Sequence, residues 1–218
     1  MTQNVWDDVD TYISGLLVGP DKALDDALAA SDAGGLPQIA VAPNQGKMLN
    51  LIARIHGARR ILEIGTLAGY STIWLARALP ADGELITLEY DPHHAEVATA
   101  NIAAAGLADR VEVKVGAALD TLPTLEGTFD LFFIDADKVN NPNYVAWALD
   151  HSRPGTVIIV DNVVRGGLVI DADSTDPAIV GTRRLGALLA NEPRVSATMI
   201  QTVGSKGYDG FALILVER

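Results

Sequence analysis

Two short acidic motifs carry the clearest chemistry in this sequence. Phe133-Ile134 runs straight into Asp135-Ala136-Asp137-Lys138, and Ile159-Val160 runs into Asp161-Asn162. Each time an apolar run delivers polar side chains at its end, where burial without compensation is costly. Asp135, Asp161 and Asn162 offer two carboxylates and one amide oxygen. Hard oxygen donors with no His or Cys among them suit Mg²⁺, which keeps water or substrate in its remaining positions. The bland alternative is two unrelated loop acids. Lys138 is either a base whose proton affinity a nearby cation and burial lower, a fixed positive charge, or simply the partner of Asp137.

A third motif comes earlier in the chain. Glu63-Ile64-Gly65-Thr66-Leu67-Ala68-Gly69-Tyr70-Ser71 has glycines in a G-x-x-x-G spacing. Gly65 and Gly69 allow a tight turn and a close approach by a ligand, or only a plain strand-to-helix turn. The spacing is neither the dinucleotide fingerprint nor a P-loop. Ser71 can cap the helix that follows. Glu89 comes about 20 residues after the loop, the distance at which an acid accepts hydrogen bonds from both hydroxyls of a ribose.

These motifs need elements to hold them. Short apolar runs at residues 60–64, 84–88, 111–115, 129–134, 156–160, 195–203 and 211–216 read as strands. Helical stretches at 71–79, from Asp91 onward, at 142–149 and at 178–191 alternate with the first five. Such alternation implies right-handed βαβ units. The expected fold is α/β: a Rossmann-like, doubly wound, mainly parallel sheet of seven strands with helices on both faces. The last two runs are joined closely around residues 204–210, so one C-terminal strand must be antiparallel. Ligands in such sheets gather at the carboxyl ends of the strands, where all three motifs fall. Before residue 57 the pattern is helical, at 5–17, at 22–30 and from about Pro43. In the third of these helices Met48, Leu51, Ile52 and Ile55 share a face and read as its buried stripe.

Composition limits the function. The 218 residues fit one domain, 1–218, with a helical segment at 1–57 and a core at 58–218. A net charge of −12 argues against nucleic acid or an anionic membrane as the main partner. With no Cys there is no disulfide, thiolate metal site or thiol nucleophile. The opening residues lack the basic start and apolar core of a signal peptide, so the expected location is the cytoplasm. The four His residues are spaced unlike metal ligands and read as surface or capping groups, and Trp6, Trp74 and Trp147 as packing.

LEIGTLAGYST, ITLEYD, VGAAL, FIDADK and VDN occur in this order. In that register they resemble the metal-dependent, S-adenosylmethionine-dependent O-methyltransferases, a family that includes catechol and caffeoyl-CoA O-methyltransferases. The resemblance runs from about residue 38 to the end. It implies that Val41, Glu63, Gly65, Thr66 and Ser71 surround the methionine end of the cofactor. It also places Glu89 on the ribose, the backbone at Ala118 on the adenine, and Asp135 near the cofactor. Asp135, Asp161 and Asn162 would be the ligands of Mg²⁺, with Mn²⁺ or Ca²⁺ as substitutes, and Asp135 and Lys138 the catalytic pair. The implied substrate is a small aromatic with vicinal hydroxyls, and the implied assembly a homodimer joined through the N-terminal helices. Asn141 stands where relatives carry an aromatic pocket residue. Arg165 and Tyr208 fall in loops expected to face the pocket, where each either selects an acceptor or is an ordinary loop residue. Two other readings compete: a nicotinamide-dependent oxidoreductase, which the missing third glycine disfavours, and a catalytically silent binding protein, which the retained acids and Lys138 disfavour.

Overall fold

A computed structural model describes residues 2–218. Helices α1 (Gln3–Leu17), α2 (Lys22–Ala33) and α3 (Pro43–His56) come first. Strand β1 (Arg60–Ile64), helix α4 (Tyr70–Ala76), β2 (Glu84–Glu89), α5 (Pro92–Ala104), β3 (Val111–Val115) and the short α6 (Ala118–Thr121) follow. The chain continues through β4 (Leu131–Ile134), α7 (Asn141–Asp150), β5 (Val157–Asp161), α8 (Pro177–Asn191), β6 (Val195–Gly204) and β7 (Gly207–Val216).

The seven strands form one sheet in the order β3-β2-β1-β4-β5-β7-β6. Strands β1 to β5 pair in parallel, and β7 runs antiparallel to both β5 and β6. The expected architecture is therefore present. Alternating side chains of the central strands enter two cores. Ile61, Leu131, Phe133 and Ile159 pack under α3 and α4. Leu62, Phe132, Ile134, Ile158 and Val160 pack against α7 and α8. Burial on both faces explains the near-continuous apolar runs of β4 and β5. Asp91 caps α5 by accepting a hydrogen bond from the His93 amide at 2.8 Å, with Pro92 in the first helical position.

Three local expectations need correction. The buried face of α3 is Gly46, Leu49, Asn50 and Ala53; of the expected stripe Met48 and Ile52 pack half-buried against the core, while Leu51 is 42% and Ile55 85% exposed. Small residues decide this. A Cβ on Gly46 would overlap the indole of Trp74, so α3 lies against α4 through its slimmest face. Asn50 secures the contact by donating to the Trp74 carbonyl at 2.9 Å. Ser71 is not a cap; it lies inside α4, and Gly69 is the residue before that helix. Finally, β6 and β7 pair as far as Gly204 and Gly207, so only Ser205 and Lys206 form the turn. The stretch from Gly207 to Gly210 has few side chains to show alternation, but its backbone pairs nonetheless.

Candidate active site

The strand register sets the site. Ile64 pairs with both Leu88 and Ile134, and Ile134 pairs with Val160. One residue further on, Gly65, Glu89, Asp135 and Asp161 stand at the same level at the carboxyl ends of neighbouring strands about 4.8 Å apart. The order of the strands reverses between β1 and β4, the switch point at which open α/β sheets bind ligands. A cavity of about 990 Å³ lies there. It is lined by Val41, Gly65, Thr66, Ser71, Glu89, Ala118, Asp135, Lys138, Asp161 and Asn162, so ten of the eleven expected residues meet around one space.

The eleventh, Glu63, lies underneath and has no exposed surface. Its carboxyl accepts from Ser71 Oγ at 2.6 Å, from Thr87 Oγ1 at 2.7 Å and from the hydroxyl of Thr72. Burial pushes its pKa up to about 7, against the pull of the three hydroxyls. Glu63 thus reaches the cavity through Ser71, which lines it. Above it, Gly65 takes a φ of 100°, and a Cβ there would overlap the Asp135 carbonyl oxygen. Only glycine lets the β1 loop pass so close to the end of β4.

Glu89 holds that loop in shape. Its Oε2 accepts from the amides of Thr66 at 3.1 Å and Leu67 at 2.8 Å, and its Oε1 from the amide of Asp91 at 3.0 Å. His94 Nδ1 lies 3.5 Å from Oε1, and the ring lines the cavity. His94 is therefore a site residue, not a surface one. It stands five positions after Glu89, and that proximity was the available signal.

At the other end, charge accumulates. Asp161 is buried, and burial together with the negative charge of Asp135 raises its pKa to about 7. Gln45 Nε2 donates to Asp161 Oδ2 at 2.7 Å, and the Asn162 amide donates to Oδ1 at 2.8 Å. Lys138 Nζ donates to Asp135 Oδ1 at 2.7 Å. Lys138 therefore pairs with Asp135, while Asp137 accepts from the Tyr144 hydroxyl and from Asn140 Nδ2. Asn162 has a φ of 58°, a left-handed conformation of the kind that clusters at functional sites. Gln45 lies far from these acids in sequence, and no motif marked it.

Two further placements differ from expectation. Asn141 is wholly buried, and it is Asn140 and Tyr144 that line the cavity. Arg165 lines the cavity, whereas Tyr208 hydrogen-bonds Gln201 on the hairpin. Among the described residues no helix is long and apolar enough to cross a membrane.

The mainly parallel sheet, the glycine loop over its switch point, and the acids at the tips of β2, β4 and β5 define a Rossmann-like α/β protein with a ligand site at the switch point. An O-methyltransferase family profile matches residues 22–215. The chain is 59% identical over 210 residues to a catechol O-methyltransferase of Mycobacterium tuberculosis, covering 96% of this chain and 95% of that protein. An O-methyltransferase from Bacillus cereus, solved in complex with S-adenosylhomocysteine, has a TM-score of 0.98 and 55% identity, over 99% of this chain and 100% of that one. TomG, an O-methyltransferase from Streptomyces achromogenes solved with S-adenosylmethionine, has a TM-score of 0.97 and 53% identity, over the whole of both chains. The chain belongs to the O-methyltransferase family. It is an S-adenosylmethionine-dependent O-methyltransferase.

Proposed function

We propose that this enzyme methylates one hydroxyl of a vicinal dihydroxy aromatic and uses a divalent cation to do so. The observation that carries the proposal is the meeting of Asp135, Asp161, Asn162 and Lys138 at the adjoining tips of β4 and β5. The catechol O-methyltransferase named above, at 59% identity, supports the substrate class.

The donor set fits a hard dication. It offers one buried and one half-buried carboxylate and an amide on a strained backbone. No cluster of three His, Cys, Asp or Glu side chains suited to a metal exists among the described residues, so Asn162 is needed as the third donor. Asp135, Asp161 and Asn162 would hold Mg²⁺, with Mn²⁺ or Ca²⁺ as substitutes. When bound, the ion supplies positive charge that eases ionisation of a phenol, a group with a pKa near 10 in water.

The cofactor supplies an activated methyl and a good leaving group, so the chain must position its reactants and move one proton. Val41, Gly65, Thr66 and Ser71 form the wall assigned to the methionine end. Glu89 and Ala118 form the part assigned to the nucleoside. Lys138 is assigned the proton of the acceptor hydroxyl. Its side chain is only 10% exposed, which limits competition from water. The test is methyl transfer to a catechol before and after metal removal with EDTA. Loss of transfer, restored by Mg²⁺, is expected; undiminished transfer by metal-free enzyme would refute the metal assignment.

The chain is further read as one domain whose N-terminal helices join two subunits. Val5, Val9, Tyr12 and Leu16 recur at helical spacing on α1 and are 43–69% exposed. With Leu51 and Ile55 of α3 they leave apolar surface that a second copy would cover. Light scattering at the mass of two chains is expected; a monomer across the working concentration range would overturn this reading.

A further inference from the structure

The carboxylates that line the cavity all have partners. Asp135 is paired with Lys138, and Asp137 with Tyr144 and Asn140. Asp161 has Gln45, and Glu89 has three backbone amides. Two cations that line the same cavity, Arg165 and Lys206, have only long contacts, at 3.8 Å to Asp209 and 3.4 Å to the Gln38 carbonyl.

Arg165 is one of them. It lies four residues past Asp161 with a φ of 56°, another left-handed residue in this loop. Its guanidinium makes no hydrogen bond among the described residues, and its Nε is buried without a partner. Asp209 does not neutralise it closely. Asp209 Oδ1 accepts from the backbone amides of Val164 at 2.9 Å and Arg165 at 2.8 Å. The guanidinium stays 3.8 Å from Oδ2, outside hydrogen-bond range. The acid thus fixes the loop and leaves the side chain available to the cavity.

Lys206 is the other. It occupies the two-residue turn between β6 and β7. That turn is tied to α1 at two points. Asp10 of α1 accepts from the Ser205 amide at 2.7 Å, and Gln3 donates to the Gly204 carbonyl at 3.0 Å. Lys206 Nζ has only a long contact of 3.4 Å with the Gln38 carbonyl. Both cations come from the β5-β7-β6 side of the sheet. Glu89 and Ala118, the nucleoside end, come from the β2-β3 side. The acceptor end of the cavity therefore carries two positive charges that the protein meets only at long range, and one of them has a buried Nε without a partner.

Building on the reading of the site given above, we infer that Arg165 and Lys206 recognise a carboxylate on the acceptor. The preferred substrate class is then a vicinal dihydroxy aromatic acid, not a neutral catechol. A planar guanidinium suits a carboxylate, and a desolvated Nε strengthens the contact. Lys206 is exposed and adds a weaker attraction that salt screens.

The test compares a vicinal dihydroxybenzoate with the matching dihydroxybenzamide as acceptors. The amide is uncharged and of similar size; its effect on phenol acidity is the same in every variant, so the change in the acid-to-amide ratio between wild type and variants isolates the charge contact. In wild type we expect kcat/KM to favour the acid by about tenfold or more, mainly through KM, as for one hydrogen bond between charged groups. Arg165→Gln should remove most of that ratio, Arg165→Lys should restore part of it, and Lys206→Gln should reduce it less. Higher ionic strength should lower the wild-type ratio. If Arg165→Gln fails to fold, judged by its thermal shift with S-adenosylhomocysteine, Lys206→Gln and the salt series decide the matter. Equal kcat/KM for the two acceptors in wild type would overturn the inference and leave the site reading intact. So would variants that weaken S-adenosylhomocysteine binding while keeping the ratio, since the cations would then belong to the cofactor. Transfer to neither acceptor, with S-adenosylmethionine bound, would overturn the site reading and this inference with it.

Discussion

The two ends of the cavity hold their buried acids in opposite ways. At the β1–β2 end, Glu63 is met by three hydroxyls and Glu89 by three backbone amides. That end is complete within the protein and presents a preformed wall. At the β4–β5 end, Asp161 and Asp135 oppose each other, with one lysine and one glutamine to offset them. Glu63 and Asp161 both have pKa values near 7, but the negative charge of Asp135 ranks second only to burial among the causes at Asp161 and is the weakest cause at Glu63. A carboxyl buried among hydroxyls is structural and can stay protonated. Two carboxylates facing each other gain most from an added cation. The first end is therefore built to position, and the second to bind charge.

Removing Asp161 should separate the two ends most sharply. Asp161→Ala should reduce methyl transfer by more than about a hundredfold, beyond the usual effect of an outer-shell change. S-adenosylhomocysteine should still bind, measured by calorimetry; loss of both together would show that the ends are not independent. Lys138→Met should lower kcat by roughly 10²–10⁴-fold, the typical contribution of a general base. High pH should rescue part of that loss, and an unchanged rate near neutral pH would remove the base assignment. Gln45→Leu should cost roughly tenfold in Mg²⁺ affinity by titration calorimetry, because Asp161 loses the donor that orients it. Unaltered affinity would make Gln45 a bystander.

Glu63→Gln should have the smallest effect, visible mainly in stability. The folded pKa of Glu63 is about 7, above its ordinary 4.5. Its contribution is thus full below about pH 4.5, is lost as pH rises through about 7, and stays lost above that. Relative to Glu63→Gln, the wild type should lose melting temperature from about pH 5 to about pH 7. Parallel curves would show that Glu63 does not titrate in this range.

Much of this arrangement was legible in the chain. The apolar runs at 60–64 and 111–115 coincide with β1 and β3, because hydrophobic runs bounded by polar turns leave little choice of element. Asp135, Asp161 and Asn162 were legible because each directly follows a buried strand. The outward face of α3 was not. Its whole apolar stripe looked like core, but Gly46 decided which side could approach Trp74, and Leu51 and Ile55 were turned outward. Gln45 was hidden for a different reason: it meets Asp161 across 116 positions, and a polar residue early in a helix carries no mark of a distant partner.

From its residues alone, this chain settles the order of its elements, the layered sheet and the polar groups that end each strand, because these follow from local hydrophobic pattern. Tertiary structure decides which of those groups find partners. Asp209 spends one oxygen on two backbone amides, the β6–β7 turn is held by α1, and Arg165 and Lys206 are left facing the cavity. Whether a charge is met or unmet depends on contacts between remote segments, and only the folded chain brings those together.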